Sequence, residues 1–138
     1  MKILVTGSEG YIGQHLIKMI GDDHEVIGLD IKADDFMMAT DITKLRTDVP
    51  EELAKVDVVI HLAAKVRVNE SVTEPWLYYN TNVNGTKNIL NHIDCKHFIF
   101  ASTGVATNPT NPYALSKRIA EDVVKEHCEK KGIDFTIF

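Results

Sequence analysis

Apolar and polar positions along this chain fall into short blocks whose period switches repeatedly between strand and helix. Lys2–Thr6 holds the apolar run Ile3, Leu4 and Val5 and is closed by glycine, which predicts a buried strand. Tyr11–Ile20 sets Ile12, Leu16 and Met19 at helical spacing. A strand follows over Glu25–Leu29, ended by Asp30, then a short one over Met37–Ala39. Pro50–Ala54 reads as a brief helix with proline near its first turn, and the β-branched run Val56–Leu62 as a strand. The remainder predicts a helix over Pro75–Ile93, a strand over His97–Ala101 and a helix over Pro112–Lys131 that Gly132 is placed to stop. Ile133–Phe138 begins a last strand. Strands that alternate with helices pair in parallel through crossovers, so the pattern predicts a doubly wound parallel α/β sheet in a single domain spanning residues 1–138.

Composition narrows the picture modestly. A length of 138 residues, 44% hydrophobic, supports one core and one domain. The net charge of -5, without a long run of one sign, argues against nucleic acid as a partner. A small anionic ligand stays open, because backbone N–H groups hold phosphate without a nearby cation. No apolar run approaches the ~18 residues of a membrane span, and Met1-Lys2 precedes too short an apolar stretch for a signal peptide. No membrane partner and a cytoplasmic location are therefore expected. Cys95 and Cys128 follow no ligand spacing and read as reduced thiols, and the six histidines show no i,i+4 pairing, so no metal site is expected.

The chemistry starts at Thr6-Gly7-Ser8-Glu9-Gly10-Tyr11-Ile12-Gly13, between the first strand and the first helix. Gly7 permits the sharp turn out of the strand, Gly10 lets backbone approach a pyrophosphate, and Gly13 is expected to let the helix pack closely on the sheet. Asp30 ends the next strand about 20 residues on, where a carboxylate accepts hydrogen bonds from ribose hydroxyls and repels a 2′-phosphate. That favours NAD over NADP, with Lys32 the one nearby residue able to soften the preference.

The spacing Thr-Gly-x-x-Gly-x-x-Gly resembles the extended short-chain dehydrogenase/reductases, within them the NAD-dependent epimerase/dehydratase family, whose cofactor domain is of Rossmann type. Asp41-Ile42 resembles the pair that contacts adenine, His61-Leu62-Ala63-Ala64 the motif whose small residues line the cofactor, and Asn82-Val83-Asn84-Gly85-Thr86 the helix whose Asn supports the active-site backbone. The resemblance implies a cofactor site of Gly7, Gly10, Tyr11, Ile12, Gly13, Asp30, Ile31, Asp41, Ile42, Leu62, Ala63, Ala64 and Asn82, with Tyr113 and Lys117 touching the cofactor as well.

Tyr113 and Lys117 stand at i and i+4, on one helical face. A free tyrosine, with pKa ~10, is a poor base at neutral pH. A nearby ammonium and a cationic nicotinamide favour its phenolate, which takes a hydroxyl proton while hydride leaves the same carbon. Ala101-Ser102-Thr103 ends the fifth strand, where ligands gather in open α/β sheets. By resemblance Thr103 takes the catalytic hydroxyl position, with Ser102 as the fallback.

Val68-Asn69-Glu70-Ser71-Val72, Pro75 and Tyr78-Tyr79 look like UDP-glucose 4-epimerases and their close relatives. Dehydratases of the family carry an Asp-Glu pair after the catalytic Thr, whereas Gly104-Val105 stand here. The resemblance thus implies an epimerase on a nucleotide sugar, with a UDP-sugar favoured, and a homodimer through the helices at 75–93 and 112–131. Two alternatives stay open: a sugar reductase or dehydrogenase of the same superfamily, and an NAD-binding module without catalysis. The second draws on two departures. The segment between Thr103 and Tyr113 is short for the family, and the chain reads as truncated before the family's substrate domain. NAD binding with little turnover from these residues alone is the expectation.

Overall fold

A computed structural model describes residues 1–32, 38–45 and 49–138. In chain order the elements are β1 (Lys2–Thr6), α1 (Tyr11–Ile20), β2 (Glu25–Asp30), β3 (Met38–Ala39), α2 (Glu51–Ala54), β4 (Val58–His61), α3 (Val68–Thr73), α4 (Pro75–Tyr78), α5 (Thr86–His92), β5 (His97–Phe100), α6 (Pro112–Lys131) and β6 (Asp134–Ile137). The strands form one six-stranded sheet in the order β3-β2-β1-β4-β5-β6, with every pair parallel. The order reverses at β1, which opens a crevice beyond the carboxyl ends of β1 and β4. The expected Rossmann-type sheet is the observed one. The start of the short third strand expected at Met37 lies outside the described residues.

Alternation along the strands divides the buried residues between the two faces. Leu4 and Val59, with Phe98 and Phe100 of β5, join Ile89 and Leu90 of α5 and Ala120, Val124 and Cys128 of α6 in the main core. Thr6 and His61 have the parity of Leu4 and Val59 and extend that face toward the carboxyl edge. Ile3 and Val5 are buried with the other parity, and α1 packs on β1 and β2.

Helix α6 shows why its ends were readable. The Asn111 side chain accepts from the Ala114 N–H at 2.9 Å, and Pro112 occupies the first turn without wasting a donor. At the other end Gly132 adopts φ 68, and the Ile133 N–H closes on the Cys128 carbonyl at 2.9 Å.

Two helical regions depart from expectation. The helix expected over Pro75–Ile93 runs Pro75–His92 but opens to wide π turns over Tyr79–Gly85, between α4 and α5. A further short helix, α3, stands ahead of it. No helix among the described residues is long and apolar enough to cross a membrane, and no group of three or more metal-ligating side chains occurs among them.

Candidate active site

The glycine loop is built by contact with the β4 end. Gly7 takes φ 73, and a Cβ there would sit 2.7 Å from the Ala63 backbone nitrogen. Only glycine meets both demands. Its N–H donates to the Leu29 carbonyl at 2.8 Å, tying the loop to β2. Gly13 corrects its expected role. A Cβ there would lie 2.8 Å from Ser8 Cα and collide with the Gly7 carbonyl, so the close approach it allows is first of α1 to the loop at the end of β1. Ser8 is fully buried inside this turn, and its Oγ is the one buried side-chain N or O atom among the described residues without a hydrogen-bond partner.

Asp30 organises the opposite wall. One carboxylate oxygen accepts from the Glu9 N–H and the other from the Lys32 N–H, each at 3.1 Å. Asp41 caps the next turn by accepting from the Thr43 N–H at 2.9 Å and the Thr43 hydroxyl at 2.7 Å. Between these groups lies a cleft of about 480 Å³. Of the expected cofactor residues, Gly7, Gly10, Asp30, Ile31, Asp41, Ile42, Leu62, Ala63 and Ala64 line it. Tyr11 and Ile12 do not; their side chains are exposed, and Tyr11 stacks on His15 instead. Gly13, Asn82, Thr103, Tyr113 and Lys117 are also outside its lining, while Thr40, Lys65, Leu77, Asn80 and Thr81 line it without having been singled out. A smaller cavity of about 310 Å³ touches Lys2 and Asp57 at the amino ends of the strands, away from this edge, and its Lys96–Asp57 ion pair is already closed at 2.6 Å.

A buried polar chain links the cleft to α6. Thr6 Oγ1 accepts from the Ala63 N–H at 3.2 Å and lies 2.6 Å from His61 Nδ1. His61 Nε2 lies 2.8 Å from Thr86 Oγ1, whose own hydroxyl donates to the Asn82 carbonyl at 2.7 Å. Since the Thr86 proton is committed, His61 donates from Nε2 and accepts the Thr6 proton at Nδ1, which fixes one neutral tautomer. Burial, then the nearby Lys117 charge, hold the His61 pKa down at about 3.

Asn82 sits inside the π turns. Its Oδ1 accepts from the Lys65 N–H at 2.8 Å, and its Nδ2 donates to the Lys65 carbonyl at 3.0 Å and to Ser116 Oγ at 2.9 Å. Ser116 in turn donates to the Tyr113 carbonyl at 2.7 Å. One amide thereby joins the cleft wall at Lys65 to the turn of α6 that carries Tyr113.

Lys117 is buried, with Nζ 4.3 Å from the Phe100 ring centroid. Burial pulls its pKa down to about 8, against the opposing pull of Glu121. The Tyr113 ring meets the edge of Tyr78 at 6.4 Å. Tyr78 is anchored by donating to Glu70 at 2.6 Å, and Glu70 pairs with Lys65 at 3.3 Å. Burial and that carboxylate push Tyr78 up to about 12, so it is no base near neutral pH. At the end of β5, Ser102 donates its hydroxyl to Glu121, while Thr103 is extended ahead of a single turn over Gly104–Thr107.

A parallel sheet with this crossover order, a glycine turn feeding a helix and a carboxylate ending the next strand define a dinucleotide-binding α/β protein. Residues 3–138 match the family model described as the NAD-dependent epimerase/dehydratase family. The chain belongs to that family. It is 33% identical to the UDP-glucose 4-epimerase of Halalkalibacterium halodurans, across 98% of this chain and 48% of that protein. The UDP-Glc/GlcNAc 4-epimerase of Campylobacter jejuni superposes with a TM-score of 0.88 at 26% identity, over 99% of this chain and 52% of that one. A tyrosine-to-phenylalanine variant of the UDP-glucuronic acid 4-epimerase of Bacillus cereus, solved with NAD and UDP-4-deoxy-4-fluoro-glucuronic acid, gives 0.87 at 26% identity, over 99% and 54%. The chain spans about half the length of the curated relatives it matches.

Proposed function

We propose that residues 1–138 form the NAD-binding and proton-transfer domain of a nucleotide-sugar epimerase acting on a UDP-sugar. The observation that supports this most is the Asn82 link, which joins the wall of the cleft beside the glycine turn to the helix turn bearing Tyr113.

The cleft suits the cofactor. A Cβ on Gly10 would meet only the Gly7 carbonyl, at 3.1 Å, so backbone there is open to a pyrophosphate at the start of α1. Asp30 keeps lone pairs for ribose hydroxyls beyond its two backbone bonds, and Asp41-Ile42 with Leu62, Ala63 and Ala64 shape the remainder. Bound NAD supplies reversible hydride transfer at a sugar carbon.

The chain's own groups then handle the proton. Thr103 Oγ1 holds the reacting hydroxyl; the engagement of the neighbouring Ser102 proton with Glu121 supports Thr103 over Ser102 in that role. Tyr113 Oη takes the C4 hydroxyl proton and returns it after the sugar presents its other face. Lys117, one turn on, supplies the positive charge that favours the phenolate. Gly104-Val105 after Thr103 leave no acid-base pair for eliminating water, which favours epimerisation over dehydration.

Trp76 of α4 and Leu115 and Ile119 of α6 are exposed on helices that contact one another, which supports a homodimer through the helices at 75–93 and 112–131. Sedimentation showing a dimer that Trp76→Glu dissociates supports it; a wild-type monomer at tens of micromolar overturns it.

The test of function is conversion of UDP-galactose to UDP-glucose. It is measured on this chain alone and on the chain completed by residues equivalent to the second half of its relatives, each with Tyr113→Phe beside it. Binding energy from the distant nucleotide is what positions the sugar, so the completed chain turns over and the isolated one does little. Conversion unchanged by Tyr113→Phe overturns the assignment of the base. Robust conversion by the isolated chain, lost in the Phe variant, overturns the need for completion.

A further inference from the structure

The proposed chemistry leaves one largely covered acid unused. Glu121 sits on α6 one turn beyond Lys117, with its side chain 13% exposed. Its Oε1 receives the Ser102 hydroxyl from the end of β5, and its Oε2 faces Arg118 at 3.6 Å and Lys125 at 3.8 Å. The carboxylate thus has three polar partners, one from β5's end and two from its own helix.

From this geometry we infer that Glu121 is a positioning residue for the active site: its Oε1 clamps the Ser102-Thr103 end of β5 to α6, and its charge holds Lys117 as an ammonium beneath the Phe100 ring. The inference rests on the proposed roles of Thr103 and Lys117. The two halves of the device follow from different atoms. The clamp is a hydrogen bond with Ser102 and needs only an acceptor. The hold on Lys117 is a charge effect across one helical turn and needs the carboxylate.

Lys117 has little else to keep it charged. Among the described residues, its titratable neighbours are Tyr113 and Glu121, one turn to either side on α6, and His61 from β4; of these only Glu121 favours the ammonium at neutral pH. His61 is neutral, and β5 offers the Phe100 ring and the uncharged Ser102. Burial alone pulls the amine toward its neutral form, in which it would support the Tyr113 phenolate far less. Glu121 also secures Thr103 indirectly. The Ser102 hydroxyl at Glu121 ties the backbone ahead of Thr103 to α6, and the Ser102 N–H at the Phe138 carbonyl ties it to the chain after β6.

The test separates clamp from charge. Glu121→Gln keeps an amide oxygen for Ser102 and removes the charge; Glu121→Asp keeps the charge on a shorter arm. The full 138-residue chain is labelled at lysine Cε with carbon-13, Lys117 is assigned by its loss in Lys117→Met, and its titration is followed by NMR. The wild-type midpoint is expected well below the ordinary lysine value, at about 8. Glu121→Gln is expected to move it to lower pH while thermal stability and far-ultraviolet circular dichroism stay close to wild type, and Glu121→Asp to restore much of it. A midpoint unmoved in Glu121→Gln overturns the inference, whatever the fold does. If the Gln variant does not fold, Glu121→Met decides: a midpoint below that of wild type supports the charge coupling and an unchanged one overturns it. NAD titration of Lys117→Met addresses the underlying reading separately. Unchanged NAD affinity there removes Lys117 from the cofactor site, even where the Glu121 coupling holds.

Discussion

Replacing Lys117 by Met should make the protein more stable and less able to bind its cofactor. The amine is buried, and its pKa falls from the ordinary 10.5 to about 8. That drop corresponds to about 3 kcal/mol of preference for the neutral form. At pH 7 the folded chain holds the charged form, so it bears most of this cost. The contact with Phe100 returns about 1 kcal/mol, leaving roughly 2 kcal/mol to be gained by a neutral side chain of similar length. For a domain of this size that is a rise of about 6 °C in melting temperature. The pH dependence carries the sign. The folded pKa lies below the unfolded one, so between pH 8 and 10.5 the unfolded chain binds more protons and wild-type stability rises with pH. The Met variant lacks that contribution, and the gap between the two closes across the same window. Thermal unfolding followed by circular dichroism at pH 7 and at pH 10 measures both effects. A Met variant that melts lower at pH 7, or a gap that stays constant between pH 8 and 10.5, refutes the reasoning. A destabilising ammonium kept in a core is what a functional group looks like when stability is not its purpose.

Other outcomes follow from single side chains. Ser8→Ala removes a buried hydroxyl without a partner, so its melting temperature should rise by a few degrees, and a fall would show that the hydroxyl is satisfied. His61 has its pKa held from 6.5 down to about 3, so the unfolded chain binds the extra proton and stability is lost as pH falls through 6.5 toward 3. Urea unfolding at stepped pH should give a shallower acid limb for His61→Gln than for wild type, and parallel limbs would contradict the neutral assignment.

How much of this could be read from the chain varies with the distance over which each feature is determined. Helices α1 and α6 were readable because their signals are local: the helical spacing of Ile12, Leu16 and Met19 in one, Pro112 and Gly132 at the ends of the other. The glycine turn and Asp30 were readable because a strand–turn–helix fixes their relation within one unit. Helix α3 was missed because Val68, Val72 and Thr73 are poor helix formers, and its stability comes from packing on α4 and α6. The π turns were invisible for a similar reason. They carry Asn82, whose partners Lys65 and Ser116 lie 17 and 34 residues away, and no local periodicity records that demand. His61 stood in the sequence as one letter of a motif. Its function as a bridge between Thr6 and Thr86 appears only when β1, β4 and the helix following the π turns come together. The same holds for Ser102, whose hydrogen bond to Glu121 on α6, 19 residues on, no local pattern records.

The central claim is that this cleft holds NAD, with its adenosine ribose at Asp30. Isothermal titration of the 138-residue chain with NAD and with NADP tests it most directly, with Asp30→Asn as the third sample. A carboxylate at the end of the second strand of such a sheet accepts from ribose hydroxyls and repels a 2′-phosphate, and the proposal gives Asp30 that place. One NAD per chain, clearly weaker NADP, and a narrowed difference between them in Asp30→Asn is the predicted result. Equal affinity for the two cofactors, tighter NADP, or no binding of either would contradict it.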